Sequence, residues 1–399
     1  MDFDLTDEQE MLRDTVRDLL ARNYDPETRL KVTDTELGWS REVWQQLAEL
    51  GVLGLTFTEA DGGVDAGPVE AMVVLEEVGR RLAPEPILDA VLLPGALLTL
   101  AGSAEQRQRV LPEVAAGNKL LAFAHGEPGV RWPSTELTTT AVAVSDAASA
   151  GPSVVTQAAA SGPDAPAGGN SYVLTGIKNP VSHGDCADEL VVSAQLPGGG
   201  TGLFLVAADA TGVTRKSYRT VDGQRGAQLE FEQAAAELLG GDVDAAEAIR
   251  SALVQAQASL CAESIGAMAE ALRLTTDYLK QRKQFGVTLS KFQALTHRAA
   301  DMYVSLELAR SMSLYATAAV ADGEIDPQVA SRARLQVGRS ARHIGQEAIQ
   351  MHGGIGVTAE YPVGHYVARL TAIERTLGGG LEHLRVLSAR VGEYGLPEL

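Results

Sequence analysis

The sequence predicts an α+β protein: an N-terminal helical domain, a middle antiparallel β domain and a C-terminal four-helix bundle. Three observations carry this expectation. Residues 1–117 place apolar side chains at helical spacing. Residues 118–240 alternate short apolar runs with Gly, Pro, Asp and Ser clusters. Residues 241–399 return to long 3.6-residue periodicity. A chain of 399 residues, 45% hydrophobic and 21% charged, suits two or three domains better than one.

Leu5, Met11, Leu12, Val16, Leu19 and Leu20 mark a first helix over 5–21, with Thr6 as N-cap and Gln9 completing a capping box. Ser40 opens a helix over 40–50 that stops before Gly51, and Pro68 sits in the first turn of another over 67–82. Residues 88–117 hold two more, each ending at a glycine. Strand-like runs follow at 121–123, 138–144, 171–174, 190–194, 202–206 and 227–231. The Ala/Ser/Gly/Pro-rich stretch 145–169 reads as a surface loop. Long helices are expected over 245–283, 292–321 and 326–352, with a less regular one over 363–392, and such lengths imply a bundle. Met302, Leu306, Ala309, Met312 and Ala316 recur at helical spacing and predict bundle core or subunit interface.

A net charge of −19 repels phosphate backbones and anionic bilayers, so neither nucleic acid nor membrane is expected as a partner. Cys186 and Cys261 offer neither a disulfide framework nor metal-ligand spacing, and no metal is expected. Residues 1–23 are acidic and lack the basic start and apolar run of a signal peptide. No apolar stretch reaches the roughly 18 residues needed to span a bilayer. The expected location is the cytoplasm.

Two motifs carry chemistry. In the first, Arg282-Lys-Gln-Phe-Gly286, the guanidinium offers a planar fork of donors suited to a phosphate. In the second, Gln350-Met-His-Gly-Gly-Ile-Gly356, three glycines let the backbone approach a ligand that any Cβ would hold away, and Gln350 adds an amide. An arginine in a last turn also complements the helix dipole, and a glycine also stops a helix. A stop, however, needs one glycine rather than three in four residues. The two motifs read as halves of one pyrophosphate cradle, with His352 as helix-end packing.

With Phe292-Gln293 after the first motif and Glu360-Tyr-Pro-Val363 after the second, the set resembles the acyl-CoA dehydrogenases, nearly end to end. Within the family it looks most like the small, non-catalytic subunit of heteromeric members, such as pimeloyl-CoA dehydrogenase and the steroid-degrading actinobacterial enzymes. The resemblance implies FAD as cofactor, its ADP end held across a dimer interface by Arg282, Gln284, Phe285, Phe292, Gln293, Gln350, Gly353 and Gly354. It also implies α,β-desaturation of an acyl-CoA thioester, in which a carboxylate removes the α-proton.

That carboxylate is missing. The family's usual position falls on Gly378 or Leu377, and its alternative position on Ala256. Glu247, Glu263 and Glu374 are the nearest acids, and Glu374 reads as a solvated surface residue. The flavin-binding segments depart too. Glu127-Pro128 is retained without the Gly-Ser-Asp that follows it in the family. Lys178 and Pro180 stand where an aromatic and a hydrogen-bonding strand are usual, and proline has no N–H to donate. His125 and His183 show no orienting partner in the sequence and read as loop or packing residues.

The expectation is therefore a half-site subunit with no catalytic residue of its own. Its partner would be a second acyl-CoA dehydrogenase subunit that carries the catalytic Glu and binds the acyl-CoA, within a heterotetramer that reduces an electron-transfer flavoprotein-type acceptor. The alternatives are a self-sufficient homotetramer with a displaced base such as Glu374 or Glu263, and a flavin oxidase, monooxygenase or scaffold on the same fold.

Overall fold

Thr6 accepts from the Gln9 N–H while the Gln9 side chain returns to the Thr6 N–H, so helix α1 (Asp7–Asn23) starts on the predicted capping box. The structure, a computed structural model, describes residues 5–130, 132, 136–144, 171–241 and 244–393. The loop expected over 145–169 lies outside the described residues. Asp25 caps a short helix α2 (Pro26–Thr33) that the sequence did not announce, because its few apolar residues form no stripe. Ser40 caps α3 (Arg41–Glu49), which buries Val43, Trp44 and Leu47. Pro68 opens α4 (Pro68–Arg81). A π-helical turn over Leu88–Leu92 runs into α5 (Leu93–Ala101), and Ser103 with Gln106 makes a second capping box for α6 (Ala104–Ala115). Gly117 follows α6 in the left-handed region as expected, whereas Gly102 ends α5 in extended backbone.

Seven strands follow among the described residues: β1 (Leu121–Ala124), β2 (Thr140–Ala143), β3 (Ser171–Ser182), β4 (Glu189–Gln195), β5 (Thr201–Ala207), β6 (Val213–Arg219) and β7 (Arg225–Leu238). Their order is β1-β4-β2-β3-β7-β5, with β6 beside β7, and a β4–β5 pairing that turns the path back on itself. Most pairings are antiparallel. The expectation of a wholly antiparallel domain is corrected at β1, which joins β4 in parallel from Leu121↔Glu189 to Ala124↔Val192. The long excursion between these two strands supplies the crossover that parallel pairing needs. β6 escaped the sequence reading because it is exposed and polar, with no alternation to detect. Leu174, Val181, Leu190, Val192, Phe204, Leu229 and Phe231 fill the sheet's interior.

The C-terminal region begins with α7 (Ala246–Gln281). A two-strand hairpin, β8 (Lys283–Gln284) and β9 (Val287–Thr288), leads to α8 (Gln293–Ala321) and α9 (Pro327–His352). The irregular stretch expected over 363–392 divides into α10 (Val363–Arg375) and α11 (Gly380–Ser388), because Thr376 leaves the helix in extended backbone ahead of three glycines. Met302, Leu306, Ala309 and Ala316 are buried with Met268, Ile344 and Leu370, and Met312 packs half-buried against them, so the predicted stripe is bundle core.

Packing divides the chain into two units. One holds Ser40–Ala66 and Glu85–Leu253; the other holds Met1–Trp39, Gly67–Pro84 and Val254–Leu399. The N-terminal helices are thus shared: α3, α5 and α6 group with the sheet, while α1, α2 and α4 group with the bundle. Within the second unit, α4 crosses α7 at Gly79 and Gly266. A Cβ on Gly79 would stand 1.9 Å from the Glu263 carbonyl oxygen, and one on Gly266 would stand 1.8 Å from that of Glu76.

Candidate cofactor cradle and the vacated base position

The last turn of α7 delivers Arg282, whose backbone N–H donates to the Tyr278 carbonyl at 2.8 Å. The β8–β9 turn is made by Phe285 and Gly286, with φ of +53° and +82°. Positive φ at both central residues suits the right-handed twist of a two-residue hairpin, but a bulky side chain there is strained. Phe285 is nevertheless 92% exposed, and its ring meets the edge of Phe292 at 6.2 Å. Arg282, Gln284 and Gln293 are exposed as well, and their side chains have no hydrogen-bond or ion-pair partner among the described residues.

The second motif closes α9. Gly353 has φ +66° and ψ −143°, which L side chains rarely adopt. A Cβ on Gly353 or Gly354 would meet no heavy atom within 4 Å, so this chain's own packing does not exclude one; the space beside the backbone is open. Gln350 is exposed and unpartnered among the described residues. His352 is buried, with Nδ1 2.8 Å from the Ala348 carbonyl and Nε2 3.2 Å from the Tyr361 hydroxyl, in keeping with helix-end packing. The Tyr278 ring lies 4.6 Å from the His352 ring, which brings the ends of α7 and α9, and hence both motifs, to one end of the bundle. An unpaired guanidinium, unpaired amides and an open glycine backbone fit a dinucleotide's diphosphate.

The positions where the family keeps its base lie in the second unit as well. Leu377 and Gly378 lie in the turn between α10 and α11 with φ of +54° and +96°. Gln257, next to Ala256, donates to the Leu377 carbonyl at 3.1 Å, so the two candidate base positions converge on one place. Neither carries a carboxylate. Arg334, buried in α9, donates to the carbonyls of Ile373 at 2.6 Å and Thr376 at 2.8 Å. His383 bridges Ser331 Oγ at 3.2 Å and the Gly378 carbonyl at 3.1 Å. Burial, with the Arg334 guanidinium nearby, pushes His383 down to about 4.

The acids singled out in the sequence are all paired, Glu374 within this very turn. Buried Glu263 takes two hydrogen bonds from Arg369, at 2.6 and 3.0 Å. Glu374 is not the solvated carboxylate the sequence suggests. Its side chain is 12% exposed, pairs with Arg342 and Arg375 at 3.1 Å each, and accepts the Gly380 N–H at 3.2 Å. Glu247 is exposed and pairs with Arg250.

In the sheet unit, Lys178, which stands where the family has an aromatic, takes a partner of its own. It is fully buried and donates to Glu127 at 2.8 Å, to the His125 carbonyl at 3.2 Å and to Ser193 Oγ at 3.3 Å. Glu127 also accepts from the backbone and hydroxyls of Thr138 and Thr139. Burial pushes the Glu127 carboxyl up, but these donors outweigh it and hold it at about 2; burial pushes Lys178 down to about 8. The β3–β7 register shifts between Lys178 and Val181, so no ladder pairing is made at Pro180. His125 stacks on Phe123 and meets Ser193 Oγ at 2.9 Å, a packing role as expected. His183 does have an orienting carboxylate, Asp89, at 3.3 Å, a partner too distant in sequence to be seen there. Among the described residues no acid, His and Cys cluster could hold a metal ion, and no helix is long and apolar enough to cross a membrane.

The sequence patterns of the acyl-CoA dehydrogenase N-terminal and C-terminal domains match residues 6–118 and 246–392. Acyl-CoA dehydrogenase IpdE2 of Mycobacterium tuberculosis is 30% identical over 97% of this chain and 98% of its own length. Acyl-CoA dehydrogenase FadE28 of the same organism is 30% identical over 98% and 99%. Among solved structures, the Tcur3481-Tcur3483 steroid ACAD superposes with a TM-score of 0.84 at 31% identity, covering 97% of this chain and 98% of that one. The ChsE4-ChsE5 complex from Mycobacterium tuberculosis gives 0.85 at 26% identity over 99% and 100%. With the helical, β and helical regions in the same order and both domain patterns matched, this chain belongs to the acyl-CoA dehydrogenase family of FAD-dependent oxidoreductases.

Proposed function

We propose that this chain is the half-site subunit of a heteromeric acyl-CoA dehydrogenase. It completes the ADP-binding part of a flavin site whose catalytic base belongs to a second, family-related subunit. One observation carries the proposal: the residues suited to a diphosphate are exposed and unpartnered among the described residues, while the turn meant for a base has no carboxylate and has its carbonyls clamped by Gln257, Arg334 and His383. When bound, the flavin accepts the β-hydride of the acyl thioester. Arg282 would hold a phosphate by charge-assisted hydrogen bonds, Gln284 and Gln350 would add amide contacts, and Gly353 and Gly354 would let the backbone approach. Phe285, with Phe292 behind it and Gln293 alongside, would wall the adenine end from water. The partner's carboxylate would remove the α-proton. The heteromeric relatives named above support a shared site, and the steroid ACAD likeness supports a bulky acyl group. An electron-transfer flavoprotein-type acceptor would reoxidise the enzyme.

The test is co-purification with a family partner that retains its Glu. The complex should be yellow and should bleach with acyl-CoA, and Arg282→Ala should lower its flavin content. If this chain alone purifies with full flavin and bleaches with acyl-CoA, the self-sufficient enzyme replaces the half-site reading.

A further inference from the structure

We propose that Tyr278, His352 and Tyr361 form a clasp that fixes the two halves of the cradle against each other, making them positioning residues for the dinucleotide. The inference rests on the half-site reading above. The three rings contact one another: Tyr278 to His352 at 4.6 Å, His352 to Tyr361 at 4.9 Å and Tyr278 to Tyr361 at 6.2 Å. Each belongs to a different part of the cradle. Tyr278 lies one turn before Arg282 and accepts its backbone N–H. His352 immediately precedes Gly353. Tyr361 lies just beyond the 3-10 turn Gly353–Val357, so it anchors the far end of the glycine segment.

The hydrogen bonds fix the protonation. The Ala348 carbonyl can only accept, so the His352 Nδ1 beside it carries the proton. Nε2 lies 3.2 Å from the Tyr361 hydroxyl, which can donate to it in the neutral ring. Burial pushes His352 below the usual histidine range and favours this neutral form. Among the described residues, no hydrogen bond or ion pair joins residues 282–293 to residues 350–357. Bundle packing sets the helices side by side, and the stacked rings are the side-chain contact that links the two motif-bearing ends directly. A cradle must hold its ligating groups within a fraction of an ångström to use them, and such precision comes from supporting side chains.

The experiment titrates FAD into the flavin-stripped assembled complex, followed by flavin absorbance and fluorescence, alongside the melting temperature of the flavin-free complex. Tyr361→Phe removes one hydrogen bond and keeps the ring; FAD affinity should fall about fivefold, the worth of one neutral hydrogen bond. Tyr278→Leu removes the stacking ring and should cost about tenfold, with Tyr278→Phe restoring most of it. The flavin-free melting temperature of Tyr361→Phe should move by less than about 2 °C in a chain of this size. FAD affinity within about twofold of the parent in both Tyr361→Phe and Tyr278→Leu, while Arg282→Ala still weakens it, overturns the clasp and leaves the half-site reading standing. If Arg282→Ala has no effect either, the half-site reading falls and takes the clasp with it.

Discussion

Replacing Lys178 with methionine keeps the length and bulk of the side chain and removes only its charge and donors. In the folded chain the Lys178 and Glu127 side chains are 0% and 1% exposed, so neither charge is shared with solvent. Lys178→Met would leave a buried carboxylate with its Thr138 and Thr139 donors but no cation. Removing one side of a buried pair costs about 3–5 kcal/mol, and the four threonine donors place this variant near the lower end. Glu127→Gln should be worse. Burial already pushes Lys178 down to about 8 with its counter-ion present, so losing Glu127's charge pushes it lower still and favours the neutral amine. Neutralising a lysine whose ordinary pKa is near 10.4 costs about 5 kcal/mol at about pH 7. The double variant buries no unpaired charge and should recover at least about 2 kcal/mol of the summed single costs. The assay is equilibrium urea unfolding by circular dichroism at one fixed protein concentration, since subunit association shifts apparent stability. A cost below about 1 kcal/mol for either single variant, or strict additivity in the double, would refute the reasoning.

Three further outcomes are expected. Gly266→Ala should destabilise the bundle by at least about 3 kcal/mol, because its Cβ would stand 1.8 Å from a backbone oxygen of α4; a melting temperature equal to the parent's would rule out the close crossing. His383 is held at about 4 when folded and titrates near 6.5 when unfolded, so between those values only the unfolded chain takes up its proton. Its contribution should therefore fall by up to about 3 kcal/mol as pH drops from 6.5 to 4, and urea midpoints across that window should flatten in His383→Leu. Glu374→Gln in the assembled complex should leave turnover within about tenfold, since loss of a true general base costs at least about a hundredfold; a larger loss with flavin retained would make Glu374 a displaced base.

Legibility in the sequence followed the range of the interactions. Thr6 with Gln9, Ser40 and Pro68 are local signals, and the helices they open begin where expected. The stripe Met302, Leu306, Ala309 and Ala316 was readable because one helix face repeats. The exposed strand β6 was not, because nothing in Val213–Arg219 alternates. Side-chain partners across long separations were the least legible. Lys178 looked like a lost aromatic until the fold brought it to Glu127, and His183 looked unoriented until the π-helical turn brought Asp89 beside it. Glu374 reads as a surface acid in the sequence because its partner Arg342 lies on another helix, and the turn it caps forms only after α10 ends.

The contrast between the two halves of the candidate site bears on what each is for. A polar side chain kept for the chain's own stability finds a partner within the chain when it is buried, because leaving it unmade is costly. Glu127, Glu263 and Glu374 follow that rule, each matched by a cation in its own unit. Arg282, Gln284 and Gln350 lie outside that rule: they are exposed and unpartnered among the described residues, and Phe285 is held in a strained left-handed conformation with its ring in solvent. Strain without internal return is characteristic of residues placed for something outside the chain. The outer face of α8 extends the same pattern, with Tyr303, Val304, Leu308 and Tyr315 exposed opposite the buried stripe of that helix. Under the half-site reading these features have one cause: the surface is complete only when a second subunit and its dinucleotide lie against it. Substitutions at Arg282, Gln284 or Gln350 should then change flavin content and leave the stability of the separate chain unmoved, whereas substitutions at Glu127 or Glu263 should do the reverse.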